Sequence, residues 1–270
     1  LALAGPGLAA LVAPPILARV IQAHGWRAGY QAMALVTVLS APVVLGLLSI
    51  GRRKVPAAAA AAAPAALSLA GALRNRIFLR LMGGFVLMSV GVGGLNLHMI
   101  PLLTDAGYSL GDAAKVQGLI GLSVLGGRLV MGYLVDRIFA PWVAAAATSL
   151  AALGLFALAG VGPAAAPLAA ILIGLSMGAE GDIIGYVTAR YFGLASYGQL
   201  YGLLFGAYTA GLGIGPFILA LGEEAFGSYR PALWICGGLL LAGAALMAGA
   251  PRFGAVVPPS PRPAPVLPSR

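Results

Sequence analysis

The sequence predicts an all-α integral membrane protein of about eight transmembrane helices. Three observations predict it. Of the 270 residues, 60% are hydrophobic and 9% charged, against about 25% charged in a typical soluble domain. Mean hydropathy is +0.98. The apolar residues fall in long runs separated by short polar breaks, and about 20 such residues in a helix cross a bilayer. A water-soluble enzyme cannot cover its surface with so few charges, and a disordered chain is poor in apolar residues. Runs of this length without alternation suit helices, and an open sheet cannot span lipid.

The spans are expected at about 1–22, 28–50, 77–103, 113–134, 142–160, 167–189, 201–221 and 231–249. The break at His24-Gly25-Trp26-Arg27 ends the first, and Arg52-Arg53-Lys54 ends the second. The third lies between Arg76 and Asp105, the fourth between Asp112 and Asp136-Arg137. The fifth runs between that pair and the Gly/Pro-rich break near 162, and the sixth ends at Arg190. Glu223-Glu224 closes the seventh, and Arg230 and Arg252 bracket the eighth. Forty Gly and nineteen Pro are tolerated in such helices, where small residues let neighbours approach closely.

The net charge of +9 orients the chain rather than marking a nucleic-acid partner. Alternate breaks carry Arg52, Arg53, Lys54, Arg74, Arg76, Arg80, Arg128, Arg137, Arg190, Arg252, Arg262 and Arg270; the intervening ones carry Arg19, Arg27, Lys115 and Arg230. Twelve cations against four makes the first side cytoplasmic, and with it both ends of this chain. Residues 51–76, with seven alanines between Pro56 and Pro64, read as a cytoplasmic linker. Residues 251–270 are Pro-rich and expected to be disordered. Pro14 is followed eleven residues later by Gly25, and Pro216 eleven later by Gly227. Two such units six spans apart imply two similar halves. Residues 1–50 are then the last two helices of a first half and 77–250 a complete six-helix second half.

No cofactor or metal is expected. Cys236 is the single cysteine, and His24 and His98 are the two histidines, too few for a zinc site. Neither Lys54 nor Lys115 follows Gly, so no phosphate-binding loop is present. Gly211-x-Gly213-x-Gly215-Pro216 has no preceding strand and reads as a helix-packing surface. No Ser, His and acid converge as a hydrolase requires.

Several polar positions within the spans remain. Arg128 precedes Asp136 by eight residues, about 12 Å along a helix. A charge that deep costs at least about 2.5–3.5 kcal/mol unless paired or hydrated, so it faces a wet cavity, a carboxylate, or both. Glu180 and Asp182 lie two positions apart, about 200° around the helix, and flank the stripe Gly174, Gly178, Gly181 and Gly185 from opposite sides. Glu180, the deeper, is a candidate to carry a coupled proton. Asp182, Tyr186 and Arg190 share one face toward the cytoplasmic end, and either acid is also a candidate ion-pair partner of Arg128 or Arg190. Asn96 and His98, near the outer end of the third span, are further candidates for solute contact.

Gly132-x-Leu134-x-Asp136-Arg137 resembles the cytoplasmic-loop signature of the major facilitator superfamily, although Ile138-Phe139-Ala140-Pro141 replaces its later Gly and basic pair. Gly25-Trp26-Arg27-x-x-Tyr30, Gly178-Ala179-Glu180-Gly181-Asp182 and Arg190-Tyr191-Phe192-Gly193 are similar to segments of bacterial members near the monocarboxylate and oxalate–formate transporters. The resemblance implies the major facilitator fold, with this chain as family helices five to twelve and N-terminally incomplete. It implies secondary transport of a small solute, an organic anion, with a co-transported proton, in the bacterial inner membrane. In that branch an Arg four residues before the signature Gly helps bind a substrate carboxylate, which here is Arg128. The alternatives are a truncated membrane protein without transport activity and a membrane partner protein.

Overall fold

A computed structural model describes residues 5–50 and 69–254. Its helices are α1 (Gly5–His24), α2 (Trp26–Ile50), α3 (Leu69–Arg74), α4 (Arg76–Asp105), α5 (Leu110–Val135), α6 (Ala140–Val161), α7 (Ala166–Phe192), α8 (Tyr197–Phe226) and α9 (Arg230–Ala248), with a 3-10 turn at Pro163–Ala165. Among the described residues, α2 and α4 to α9 are long and apolar enough to cross a membrane. With the 20-residue α1 they are the eight long helices expected, and no strand occurs among the described residues.

Local chemistry sets the helix ends. Asn75 caps α4, its side-chain oxygen accepting from Ile77 N at 2.9 Å and Phe78 N at 3.3 Å. Ser109 caps α5 by accepting from Asp112 N at 3.1 Å. Pro141, Pro167 and Pro231 stand in the first turns of α6, α7 and α9, where the missing N–H has no partner to lose. Gly193 closes α7 at φ +75° and Gly227 closes α8 at φ +61°, positive φ values that glycine adopts without strain; only Gly227 is a left-handed αL cap.

Helices α4 to α9 pack as one bundle in which α4 lies on α8, α5 on α7, and α6 on both α7 and α9. Glycine makes the closest approaches. A Cβ at Gly93 would stand 2.7 Å from the Leu212 carbonyl oxygen, so α4 and α8 touch through their backbones. Gly211 and Gly215 face α4 in the same way, whereas Gly213 has open space. Outside the bundle, α1 lies against α5, and α2 against α1. α2 keeps a nearly continuous exposed apolar surface, including Leu35, Val36 and Val38.

Two segment boundaries differ from expectation. Residues 69–74, read as the end of the linker, form the helix α3, whose Ala72 is fully buried and which packs on α4. The rest of the linker, 51–68, lies outside the described residues. The tail was expected to be disordered from 251, but its first residues are packed. Phe253 lies 4.7 Å from the Tyr191 ring and 4.9 Å from Phe139, and Tyr191 Oη donates to the Pro251 carbonyl. Ring packing by Phe253 and the hydrogen bond to Pro251 together hold these residues against the bundle. Residues 255–270 lie outside the described residues.

Candidate functional site

The site begins at the contact of α5 with α7. A Cβ at Gly127 would meet the Leu175 carbonyl oxygen at 2.6 Å, and one at Gly178 would meet the Val124 carbonyl oxygen at 2.5 Å and Arg128 N at 2.9 Å. Backbone contact this close seats Arg128 at the junction and turns its side chain into a cavity of about 240 Å³ between α4, α5, α7 and α8. Asn96, Gln117, Arg128, Met177, Phe205 and Tyr208 contribute its functional walls, with Ile120, Gly121, Val124 and Gly181 between them. Gly181 has open space where a Cβ would be, so its lack of a side chain helps make the cavity rather than a helix contact.

Arg128 is half-buried, and its Nε and Nη1 are buried without a hydrogen-bond partner among the described residues. The one ion pair within 4.0 Å among those residues joins Lys115 and Asp112 at 2.7 Å. Arg128 therefore has neither Glu180 nor Asp182 as a salt-bridge partner. Glu180 is fully buried and accepts hydrogen bonds from Tyr208 Oη and from Ser176 Oγ at 3.4 Å. Tyr208 both binds Glu180 and lines the cavity, so the acid reaches the cavity through a phenol. Below Tyr208, the rings of Phe205, Tyr201 and Tyr197 stack in turn along α8 at 5.9, 5.6 and 5.4 Å.

The other sequence-derived positions fall elsewhere. His98 does not line the cavity; its Nδ1 lies 3.3 Å from the Gly94 carbonyl oxygen and its ring 5.9 Å from Tyr229. Tyr229 in turn donates to Asp105 at 3.1 Å. Burial first, then this bond to Asp105, pushes the Tyr229 phenol up to about 12. Asp182 is exposed and shares a second cavity, of about 270 Å³, with Gly132, Asp136 and Tyr186. The Arg190 guanidinium sits over the rings of Tyr186 and Phe253 at 5.8 and 5.3 Å. Asp136 ends α5, and Arg137 stacks over Tyr133 at 3.6 Å; Leu134 is half-buried and packs on the core.

Gln117, Tyr208, Phe205 and Ser176 were not singled out from the sequence. Gln117 carried a usable signal: it is polar within an apolar span and stands eleven residues before Arg128, which is about 20° from the same helical face. Tyr208 and Ser176 gain their roles only from tertiary contact with Glu180. No group of three metal-ligating side chains occurs among the described residues.

The family model described as Major Facilitator Superfamily matches residues 1–216. Monocarboxylate transporter 11 of Homo sapiens is 28% identical over 264 residues, covering 93% of this chain and 55% of that protein. The chain thus spans about half the length of the curated relative it matches. A variant of the E. coli fucose:proton symporter FucP superposes with a TM-score of 0.60 at 18% identity, over 84% of this chain and 58% of that one. FucP in its outward conformation superposes equally well, TM-score 0.60 at 19% identity, over 84% and 57%. At such identities the two structures share the fold with this chain.

Proposed function

The chain belongs to the major facilitator superfamily, and on that premise we propose that it is a secondary active transporter of a small organic anion, with Arg128 binding the solute's carboxylate. One observation carries the reading: Arg128, about 12 Å inside the span by residue count, lines a cavity of about 240 Å³ and has Nε and Nη1 buried without a hydrogen-bond partner among the described residues. A guanidinium offers a carboxylate a planar bidentate fork. Asn96 supplies a second polar wall, and His98 stands at the outer approach. Similarity to a human monocarboxylate transporter supports the choice of anion.

Transport is by alternating access, one six-helix half rocking against the other about the central site. Residues 77–250 supply one half, 1–50 belong to the other, and 51–76 join them. Glu180 carries the coupled proton, exchanging it with the cavity by way of Tyr208. Asp182 and Arg190, with the signature residues Gly132, Leu134, Asp136 and Arg137, work at the cytoplasmic end. The cation asymmetry supports both ends of the chain being cytoplasmic, and the resemblance to bacterial members supports an inner-membrane location.

Variants at Arg128 test the anion site. Arg128→Lys should weaken binding of a radiolabelled monocarboxylate by about tenfold or more, since hydrogen bonds to charged groups contribute about 1.5–3 kcal/mol and a point charge does not replace the fork. Arg128→Ala should weaken it further. Because Arg128 is not in an ion pair, Arg128→Ala should melt no lower than the parent protein. Breaking a buried pair would instead cost about 3–5 kcal/mol. Unchanged affinity in Arg128→Lys, or a large stability loss in Arg128→Ala, refutes the assignment.

A further inference from the structure

The cavity of about 270 Å³ between the end of α5 and α7 is lined by two carboxylates and by no cation. Met131, Val135, Ile183 and Tyr186 give it apolar and aromatic walls, and Asp136 and Asp182 bring the acids. Both acids are exposed, and neither has a cation within 4.0 Å among the described residues. Arg137, next to Asp136, stacks over Tyr133 instead, and Arg190, two turns after Asp182, sits over Tyr186 and Phe253. The tail leaves the bundle beside this cavity. The Phe253 ring lies 6.1 Å from Tyr186, one of the cavity walls, and 4.9 Å from Phe139, three residues beyond Asp136. Phe253 therefore bridges the two elements that flank the cavity, and the described residues stop at Gly254. Asp182 is one helical turn from Tyr186, about 6 Å along the axis, so each acid stands on the order of 15 Å or less from the anchor.

The sequence beyond Gly254 is complementary to that surface. Residues 255–270 hold Arg262 and Arg270 and no Asp or Glu, and Arg262 is the first cation after Gly254, eight residues on. A proline-rich chain advances about 3.1 Å per residue, so eight residues span about 25 Å and reach either carboxylate with slack. Pro258, Pro259, Pro261 and Pro263 surround the arginine. Prolines reduce the entropy lost when a segment is ordered on a surface, and they favour aromatic walls such as Tyr186. An exposed ion pair is weak by itself. A tether this short, however, presents Arg262 to the cavity at an effective concentration on the order of millimolar, so an attraction too weak to hold a free peptide can hold the tail.

We infer that this surface is the docking site of the chain's own tail, with Arg262 seated against Asp136 and Asp182 and the prolines around it against Tyr186. The inference needs no assumption about the solute or about transport.

The first measurement uses the unaltered full chain in nanodiscs and follows arginine modification by phenylglyoxal, read by mass spectrometry. Arg262 should react several-fold more slowly than Arg270, and the two rates should converge in 1 M salt, where the Debye length is about 3 Å. Equal rates at low salt, or a difference that salt leaves unchanged, overturn the inference. The second measurement is disulfide cross-linking in a Cys236→Ala background. Ser260→Cys is paired either with Gly132→Cys, on the cavity where a Cβ has open space, or with Leu194→Cys. Leu194 is exposed and stands three residues beyond Tyr191, which also touches Phe253, so it is comparably near the anchor. The cross-link should form about tenfold faster with Gly132→Cys. Adding Arg262→Glu should erase that advantage, and adding Asp182→Arg to Arg262→Glu should restore it. Equal rates for the two pairs, or an advantage that Arg262→Glu leaves intact, overturn the inference. A cross-link that joins only two separate chains assigns the surface to a second copy and overturns it as well. Where a cysteine variant fails to fold, the phenylglyoxal rates on the unaltered chain still decide.

Discussion

The α5–α7 contact holds Arg128 in place, and adding one methyl group there tests how much depends on it. In Gly178→Ala the new Cβ would lie 2.5 Å from Val124 O, 2.9 Å from Arg128 N and 3.0 Å from Gly127 C. Ordinary contact begins near 3.4 Å, so about 0.9 Å has to be made up. All three neighbours are backbone atoms, which no rotamer change can move; the helices must separate. Overpacking of this kind costs about 1–3 kcal/mol, partly offset by up to about 1 kcal/mol of better helix propensity. Gly181→Ala is the matched control, one turn away on the same helix with nothing within 4 Å. It takes the propensity gain without the clash and should melt at or above the parent temperature. Gly178→Ala should melt several degrees lower in detergent and, because Arg128 N is displaced, should also weaken anion binding. Equal melting temperatures for the two variants would show that the α5–α7 backbone contact is not as close as described.

Three further outcomes follow from other parts of the molecule. With Cys236 replaced by Ala, Tyr108→Cys in the α4–α5 turn should react with an impermeant thiol reagent outside intact cells, and Leu194→Cys in the α7–α8 turn should not; the reverse pattern overturns the orientation. Phe253→Ala removes the contacts with Phe139 and Tyr191, worth about 0.5–1.5 kcal/mol each, and trypsin should then cut after Arg252 several-fold faster; an unchanged rate denies that the ring anchors the tail. Because Tyr229 titrates at about 12 in the fold against about 10 unfolded, its contribution to stability is complete below pH 10 and is lost as pH rises from there through 12. In Tyr229→Phe that alkaline loss should be smaller, and an identical pH profile for the two proteins contradicts the assignment.

The fold was legible because lipid imposes a simple grammar: runs long enough to span, polar breaks, and charge on alternate sides. Local signals such as Asn75, Ser109 and the first-turn prolines set the ends without help from distant residues. Legibility fell where a residue's meaning depends on its neighbour across a helix interface. The stripe Gly174, Gly178, Gly181 and Gly185 was visible as one face, yet it serves three purposes. Gly174 and Gly178 meet the α5 backbone, Gly181 opens onto the cavity, and Gly185 lies near Tyr197. Likewise the depth of Arg128 could be counted along one helix, but the partner of Glu180 could not. An acid and a guanidinium on neighbouring spans suggest an ion pair; the structure gives Glu180 to Tyr208 and Ser176 instead. Phe253 was hidden for the opposite reason, since prolines around it dominate the composition of the tail.

That difference between a paired and an unpaired arginine bears on how transport would work. A guanidinium already bound to Glu180 could accept an anion only by giving up its partner, and the stranded carboxylate would repel the incoming charge. Arg128 has no acid partner within 4.0 Å among the described residues, so on the proposed function it is free to take the solute's carboxylate. Glu180, kept behind Tyr208 and away from the guanidinium, can then change protonation state without first breaking a salt bridge. On the function proposed above, separation of the two charges, rather than their pairing, would let one helix pair bind an anion and carry a proton in the same cycle.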